Sequence, residues 1–211
     1  MFQYLLLSVL ATAAFAGDDD DTTRYMDNVL KNYLPENMKR NQLEYARLPP
    51  FNVRMGEDAE PFVFGKGLLF DLMGRLQRDG NCSPSQWYLA NVTFGCYLAT
   101  DDLRAHYDVS SEKEEDKKLF SADLLTENTT IWVVVTQRKP KPVHVNVDVH
   151  RLGVTLHLSK KPDLDEEKLK WFINTVKSAV KQRITDVLTG PFRTALEQSV
   201  ETLPIPLPSL R

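Results

Sequence analysis

Three of the four histidines lie in one valine-rich segment, where they raise the question of a metal site. His144 and His150 alternate with valines, so their side chains share one face of a predicted strand with Asn146 and Asp148, while His157 lies further along. On an ideal strand His144 and His150 are about 20 Å apart, which is too far for them to share one ion. We therefore predict a solvated polar face, with no metal and no cofactor.

Motifs of known catalytic sites are missing from the sequence. It contains no nucleophile elbow, phosphate-binding glycine loop, zinc-protease helix motif or dinucleotide fingerprint. The paired acids Asp101-Asp102 and Glu114-Glu115 fall in predicted loops. We therefore predict that the protein is not an enzyme and has no catalytic residues.

The two cysteines, Cys82 and Cys96, predict one disulfide. An even count in an exported chain indicates pairing, and two thiols with no histidine nearby cannot complete a tetrahedral metal site. Closing a loop of this size stabilises the fold by roughly 3 kcal/mol in the chain-entropy model.

An export signal is predicted at residues 1–16. The apolar run that begins at Leu5 is too short to span a bilayer, which needs about 20 residues, and Ala14-Phe15-Ala16 has the small-x-small pattern of a cleavage site. A buried N-terminal helix is the alternative interpretation. We expect a secreted, extracellular protein with one domain at 17–211 and no stable membrane span.

Two acceptor sequences for N-glycosylation agree with export. Asn91-Val92-Thr93 and Asn128-Thr129-Thr130 both match the pattern, so we predict glycans at Asn91 and Asn128. The net charge of −3 indicates no preference for nucleic acid.

Period-two patterns predict an antiparallel sheet in the middle of the chain. Apolar residues fall on even positions from Phe62 to Leu76 and again from Tyr88 to Leu98. In the segment from Val143 to Leu158 the apolar phase changes once, near His150-Arg151. One bulge there would keep both apolar sets on one face, and a tight turn between two strands is the alternative.

Helices are predicted at both ends of this sheet. The first runs roughly from Thr22 to Glu44 and is interrupted at Pro35. The last begins at a capping box, Asp163-x-x-Glu166, and carries an apolar stripe that Gly190-Pro191 should kink or divide. The fold class is therefore α+β, a curved antiparallel sheet wrapped around a long C-terminal helix, with an N-terminal helix.

A sheet of this kind laid against a long helix encloses an elongated apolar space. If side chains leave part of it unfilled, it can bind a hydrophobic small molecule or lipid; if not, it is simply the core. The candidate lining residues are those that period places on the inward faces: Phe70, Leu72, Phe172, Val176, Val180 and Ile184.

The layout of the chain resembles the arthropod group 7 mite-allergen-like proteins. The resemblance is carried by Gly67-Leu68-Leu69-Phe70-Asp71-Leu72 and, in the closing helix, by the segments 184–189 and 192–197. That family belongs with the tubular lipid-binding fold of the juvenile-hormone-binding and bactericidal/permeability-increasing proteins. The resemblance implies a hydrophobic cleft for lipidic ligands and supplies no catalytic residues.

Two alternatives remain open at this point. One is a secreted interaction or immunomodulatory protein that acts through its surface without a small ligand. The other is a lipocalin-like carrier, although helices at both ends leave few residues for eight strands.

Overall fold

The computed structural model describes residues 18–57, 59–111, 119–138 and 142–208. The predicted export signal at 1–16 and the pair Glu114-Glu115 lie outside these ranges. The helices are α1 (Asp18–Asn28), α2 (Leu34–Arg40), α3 (Leu72–Arg75), α4 (Glu166–Val187) and α5 (Arg193–Glu201). The strands are β1 (Ala46–Leu48), β2 (Phe51–Val53), β3 (Phe62–Phe64), β4 (Gly67–Phe70), β5 (Gln77–Asp79), β6 (Gln86–Tyr88), β7 (Asn91–Ala99), β8 (Arg104–Ser111), β9 (Phe120–Gln137) and β10 (Val143–Leu158).

All ten strands pair antiparallel in one sheet with β9 at its centre. One edge of β9 pairs with β10, and the other edge pairs first with β8 and then with β7. Strand β8 continues to β3 and β4, which pair with β2 and β1, while β7 continues to β5 and β6. Within the described residues the sheet is open, which excludes the closed sheet of a lipocalin-like fold.

The predicted bulge in β10 is confirmed, and β9 carries a second one opposite it. Val149 pairs with Ile131 and Arg151 with Thr130, so β10 has one extra residue there. Between the pairs Arg151–Thr130 and Gly153–Glu127 the extra residue is in β9. Asn128, which lies in that step, has a φ of 50°. Each bulge shifts the phase of its strand, so the apolar sets before and after it face the same side.

The even-position pattern predicted from Phe62 to Leu76 is wrong after Phe64. Phe64 pairs with Val109 and Leu68 with His106, so four residues of this segment span three of β8. The extra residue moves Leu69 to the buried face and leaves Leu68 on the exposed one.

The closing helix forms as predicted but begins two residues later than the predicted cap. Asp165 is the N-cap residue, and its carboxylate accepts a hydrogen bond of 2.8 Å from the backbone N–H of Lys168. The predicted interruption at Gly190-Pro191 takes the form of a π-helical turn, Leu188–Phe192. The wider turn accommodates Pro191, which has no backbone N–H to donate, so the chain continues directly into α5.

The N-terminal helix is also interrupted near Pro35, as predicted. A π-helical turn, Val29–Tyr33, joins α1 to α2, and Pro35 lies in the first turn of α2. The helix ends at Arg40 rather than Glu44. The Tyr25 hydroxyl donates a 2.9 Å hydrogen bond to the backbone carbonyl of Val200, which fastens α1 to α5, and burial raises the pKa of Tyr25.

The predicted disulfide between Cys82 and Cys96 is confirmed. Both cysteines are buried, and the bond ties the segment before β6 to the middle of β7. Ser83 strengthens the same attachment, because its backbone N–H donates to the Gly95 carbonyl and its hydroxyl accepts from the Gly95 N–H.

One hydrophobic core lies between the inner face of the sheet and the helices. Helix α4 contributes its apolar stripe to this core. Arg183 anchors the outer side of α4, because its guanidinium donates to the carbonyls of Pro49 and Pro50 and stacks over the Phe51 ring at 4.3 Å. No helix among the described residues is long and apolar enough to cross a membrane.

Candidate functional site

The candidate lining residues separate into two groups in the structure. Five of them belong to the core and have no exposed surface: Leu72, Phe172, Val176, Val180 and Ile184. The last four follow one another along the inner face of α4, over about 18 Å at 1.5 Å per residue. The apolar part of a ligand could lie along this face only if the packed side chains moved apart.

Phe70 does not lie with the other five. It pairs with Arg104 on the exposed face of the sheet, where the guanidinium stacks over the ring at 4.9 Å. Tyr45 contacts the same ring edge-on, with centroids 5.6 Å apart. The phase change after Phe64 causes this placement, because it moves Leu69 rather than Phe70 to the inner face.

An open pocket of about 740 Å³ lies at the N-terminal end of α4. One side is the segment that follows β2, from Arg54 to Glu57, and the other is the first turns of α4, from Asp165 to Trp171. Met55 packs against the core and Trp171 is 50% exposed, so together they give the pocket an apolar wall. Its size is within the range of about 300–1,000 Å³ that small-molecule sites occupy.

Charged side chains of both signs line the rim of this pocket. The Lys168 ammonium lies 2.9 Å from the Asp165 carboxylate. The hydrogen bond from the Lys168 backbone N–H lowers the pKa of Asp165, and the hydrogen bond to Asp165 raises the pKa of Lys168. Both groups are therefore charged at neutral pH, and a ligand with a polar head would meet them at the entrance.

Aromatic side chains connect the pocket region to the core. Phe172 directly follows Trp171, and its ring lies 5.0 Å from that of Phe62. Phe62 in turn lies 5.9 Å from Phe120, and it pairs across the strands with Val53, two residues before Met55. Both residues of the apolar wall therefore lie within two residues of the core: Trp171 precedes Phe172, and Met55 follows Val53 by two positions.

A second, smaller pocket of about 400 Å³ lies between α2 and α5 and is lined by polar side chains. The Asn41 side chain donates to the side-chain oxygen Oε1 of Gln198 at 2.9 Å, and the side chain of Asn37 donates to the buried Ser199 hydroxyl at 2.9 Å. These hydrogen bonds join the two helices, and the site offers no apolar wall to a lipid.

The histidines are placed in separate contacts. His144 lies 3.1 Å from Glu197, and His150 lies 3.3 Å from Asp148. No group of three or more His, Cys, Asp or Glu in the described part of the chain could hold a metal ion.

The two predicted glycosylation residues have different surroundings. Asn128 is exposed in the β9 bulge, whereas Asn91 is half-buried as the first residue of β7. Glycosylation at both sites stays a prediction.

Sequence reasoning missed the pocket. Its apolar wall joins a loop residue, Met55, to Trp171, which lies beside the stripe of α4 rather than on it. The one available signal was a tryptophan at a position where the helical period predicts a solvated residue.

The structure thus combines an open antiparallel sheet over a long helix with an amphipathic pocket where that helix begins. Two solved structures are similar to the chain. A lipopolysaccharide binding protein is 15% identical with a TM-score of 0.43, over 87% of this chain and 38% of that one. Takeout 1 of Epiphyas postvittana is 16% identical with a TM-score of 0.33, over 84% of this chain and 86% of that one.

The chain spans well under half the length of the lipopolysaccharide binding protein that it matches. No family model matches the chain, and no curated protein sequence does. The resemblance to group 7 mite-allergen-like proteins therefore stays a prediction.

Proposed function

We propose that this protein is a secreted, non-enzymatic binding protein for a lipid-like molecule, and that the pocket at the start of α4 is where the ligand binds. The observation that carries the proposal is the pocket itself. It has a suitable volume, an apolar wall of Met55 and Trp171, and a charged rim at Asp165 and Lys168. This combination suits a molecule with an apolar tail and a polar head.

In the pocket, an acyl chain would contact Met55 and Trp171. A longer tail would continue along the inner face of α4, past Phe172 and Val176, and would have to displace packed side chains. Of the lining residues proposed from the sequence, Phe172, Val176, Val180 and Ile184 would form this deeper part of the path.

The test is the uptake of a fluorescent fatty acid by the wild type and by Trp171→Ser. Removing the indole should weaken binding by about tenfold or more, because burying a large apolar side chain contributes about 1.5–3 kcal/mol and each 1.4 kcal/mol is tenfold. Leu207→Ser is the matched control, since Leu207 is 58% exposed and lies outside the pocket. Wild-type protein that takes up no probe at micromolar concentration contradicts the proposal and favours an interaction protein without a small ligand. Equal affinity in Trp171→Ser contradicts the assignment of the binding site to the pocket.

Val180→Trp measures how deep the ligand reaches. Val180 has no exposed surface, so the larger ring should overpack the core and cost about 1–3 kcal/mol in urea denaturation. If uptake is unchanged in the folded variant, the tail stays in the pocket. If Val180→Trp takes up no fatty acid and Trp171→Ser also binds it more weakly, the tail of the ligand runs along α4.

A further inference from the structure

An exposed apolar hairpin lies outside the pocket. Strands β6 and β7 are joined at residues 87–90, which we call the hairpin tip. Trp87, Tyr88 and Leu89 are 57%, 65% and 77% exposed. Elsewhere in the described residues, exposed large apolar side chains occur singly along the chain. Isolated ones are ordinary on protein surfaces, but a contiguous set marks an interaction site.

The turn at the hairpin tip has an unusual composition. Tyr88 pairs with Asn91, so Leu89 and Ala90 form a two-residue turn, with φ values of 47° and 63°. Both residues are in the left-handed region, where such turns strongly favour Asn-Gly. A leucine at the apex is therefore held against its local conformational preference, as is often found at functional positions.

The shape of the hairpin tip is a convex wedge. Trp87 and Tyr88 are neighbours in a strand, so their rings point to opposite faces of the hairpin. Leu89 projects at the apex between them. A flat protein surface would cover only one face of such a hairpin. A fluid medium can surround both faces and the apex, so it suits this distribution of apolar surface better.

The hairpin itself carries no charged side chain. Between Asp79 and Asp101 the sequence has no Asp, Glu, Lys, Arg or His. Val92, next to the tip, pairs with Gln137, and the residue after Gln137 is the exposed Arg138. The amphipathic rings of tryptophan and tyrosine are enriched where a bilayer meets water, with their apolar parts in the lipid and their polar groups in the headgroup region.

We propose that the hairpin tip inserts into the interfacial layer of a lipid bilayer and attaches the protein to a membrane surface. This attachment does not depend on the pocket at the start of α4. The pocket lies near Phe62 and the first residue of β9, whereas the hairpin tip lies beyond Gln137, the last residue of β9. The two sites are therefore at opposite ends of an 18-residue strand.

The test is co-sedimentation of the full-length mature protein with phosphatidylcholine vesicles. The wild type should bind, with little dependence on salt. Leu89→Asn/Ala90→Gly should bind at least about tenfold more weakly, because it removes the apolar apex. This variant supplies the residues that the turn prefers, so it should fold at least as well as the wild type. The matched control Leu207→Asn should bind as the wild type does.

A second readout identifies the inserted residue. Vesicles with brominated acyl chains should quench the tryptophan fluorescence of the wild type but affect Trp87→Phe much less, since Phe keeps the tip apolar and binding is retained. Every protein in both tests, including the reference called the wild type, carries Asn91→Gln, because a glycan beside Tyr88 would hold the tip away from the bilayer. Fatty-acid uptake should be the same in every hairpin variant, which separates this proposal from the function of the pocket.

Four results would overturn the proposal. The first is a wild type that does not bind phosphatidylcholine vesicles, and the second is equal binding by Leu89→Asn/Ala90→Gly. The third is unchanged quenching in Trp87→Phe. The fourth is binding that needs anionic lipid, is lost in Arg138→Gln and survives the tip variant, which would show electrostatic attachment instead. A wild-type dimer that the tip variant converts to monomer, without vesicle binding, would identify the tip as a protein interface.

Discussion

Asp165 connects the start of α4 to the rim of the pocket. Its carboxylate caps the helix through the Lys168 N–H and also pairs with the Lys168 ammonium. These contacts favour the ionised carboxylate, so the pKa of Asp165 is lower in the folded state than in the unfolded chain. The stabilisation it provides is therefore present above the unfolded value of about 3.9 and is lost as the pH falls through the lower, folded value.

We expect Asp165→Ala to lower the midpoint of thermal unfolding at pH 7, and the difference from the wild type to narrow below about pH 4. Asp163→Ala is the matched control, because Asp163 is exposed and does not cap the helix. Thermal unfolding followed by circular dichroism at several pH values between 3 and 7 gives the midpoints of the wild type and of each variant, and hence the difference between them at each pH. A larger loss in Asp163→Ala would instead support the capping box predicted from the sequence.

At the scale of the element, Gly153 is required by the two bulges that bend β9 and β10. A Cβ atom added at position 153 would lie 2.6 Å from the backbone carbonyl oxygen of Glu127. Because that oxygen belongs to the main chain, it cannot move aside as a flexible side chain could. The close approach fixes the point at which the two strands recover their register after Asn128.

We expect Gly153→Ala to reduce the free energy of unfolding by about 1–3 kcal/mol, as overpacking usually does. Gly74→Ala is the matched control, since no atom lies within 4 Å of a Cβ added there. Urea denaturation of the two variants measures the difference. Equal stability in Gly153→Ala and wild type would show that the strands can separate at the bulge without cost.

Helix α4 and strand β10 were predictable from sequence because each repeats its signal many times. The stripe of α4 from Phe172 to Ile184 recurs over several turns, and one phase change in β10 was enough to locate its bulge. The shift between β3 and β4 was not predictable, since it depends on how Gly65 and Lys66 lie against β8. The bulge at Asn128 could not be predicted for the same reason. Register depends on how two strands pair, whereas the periodicity of a sequence describes a single strand.

The candidate site was predictable only in part. The inner face of α4 followed from its period, but period cannot distinguish a packed face from an open one. The pocket is formed where a loop after β2 meets the start of α4, and such a meeting of distant segments leaves no pattern in either. The hairpin tip was included in the predicted strand from Tyr88 to Leu98, because Leu89-Ala90 lacks the glycine and asparagine that usually mark a turn.

At the scale of the whole molecule, several features suit passage through the secretory pathway. The disulfide between Cys82 and Cys96 joins buried residues, and such bonds persist in oxidising compartments. The acceptor Asn128 lies in an exposed bulge, while Asn91 begins β7 directly after the tight turn at Leu89-Ala90. The sequence pattern also predicts a cleavage site after Ala16.

We therefore expect the full chain, expressed in a eukaryotic host, to appear in the medium with Gly17 as its first residue. Asn128 should be glycosylated in most molecules and Asn91 in fewer, because access to Asn128 is easier. Mass spectrometry of the secreted protein before and after N-glycosidase treatment measures occupancy at each site. Asn128→Gln and Asn91→Gln are the paired controls, and each should remove the glycan of its own site only. Protein retained in the cell with residues 1–16 attached, or an unchanged mass after N-glycosidase treatment, would contradict the prediction. Higher glycan occupancy at Asn91 than at Asn128 would also count against membrane attachment through the hairpin tip.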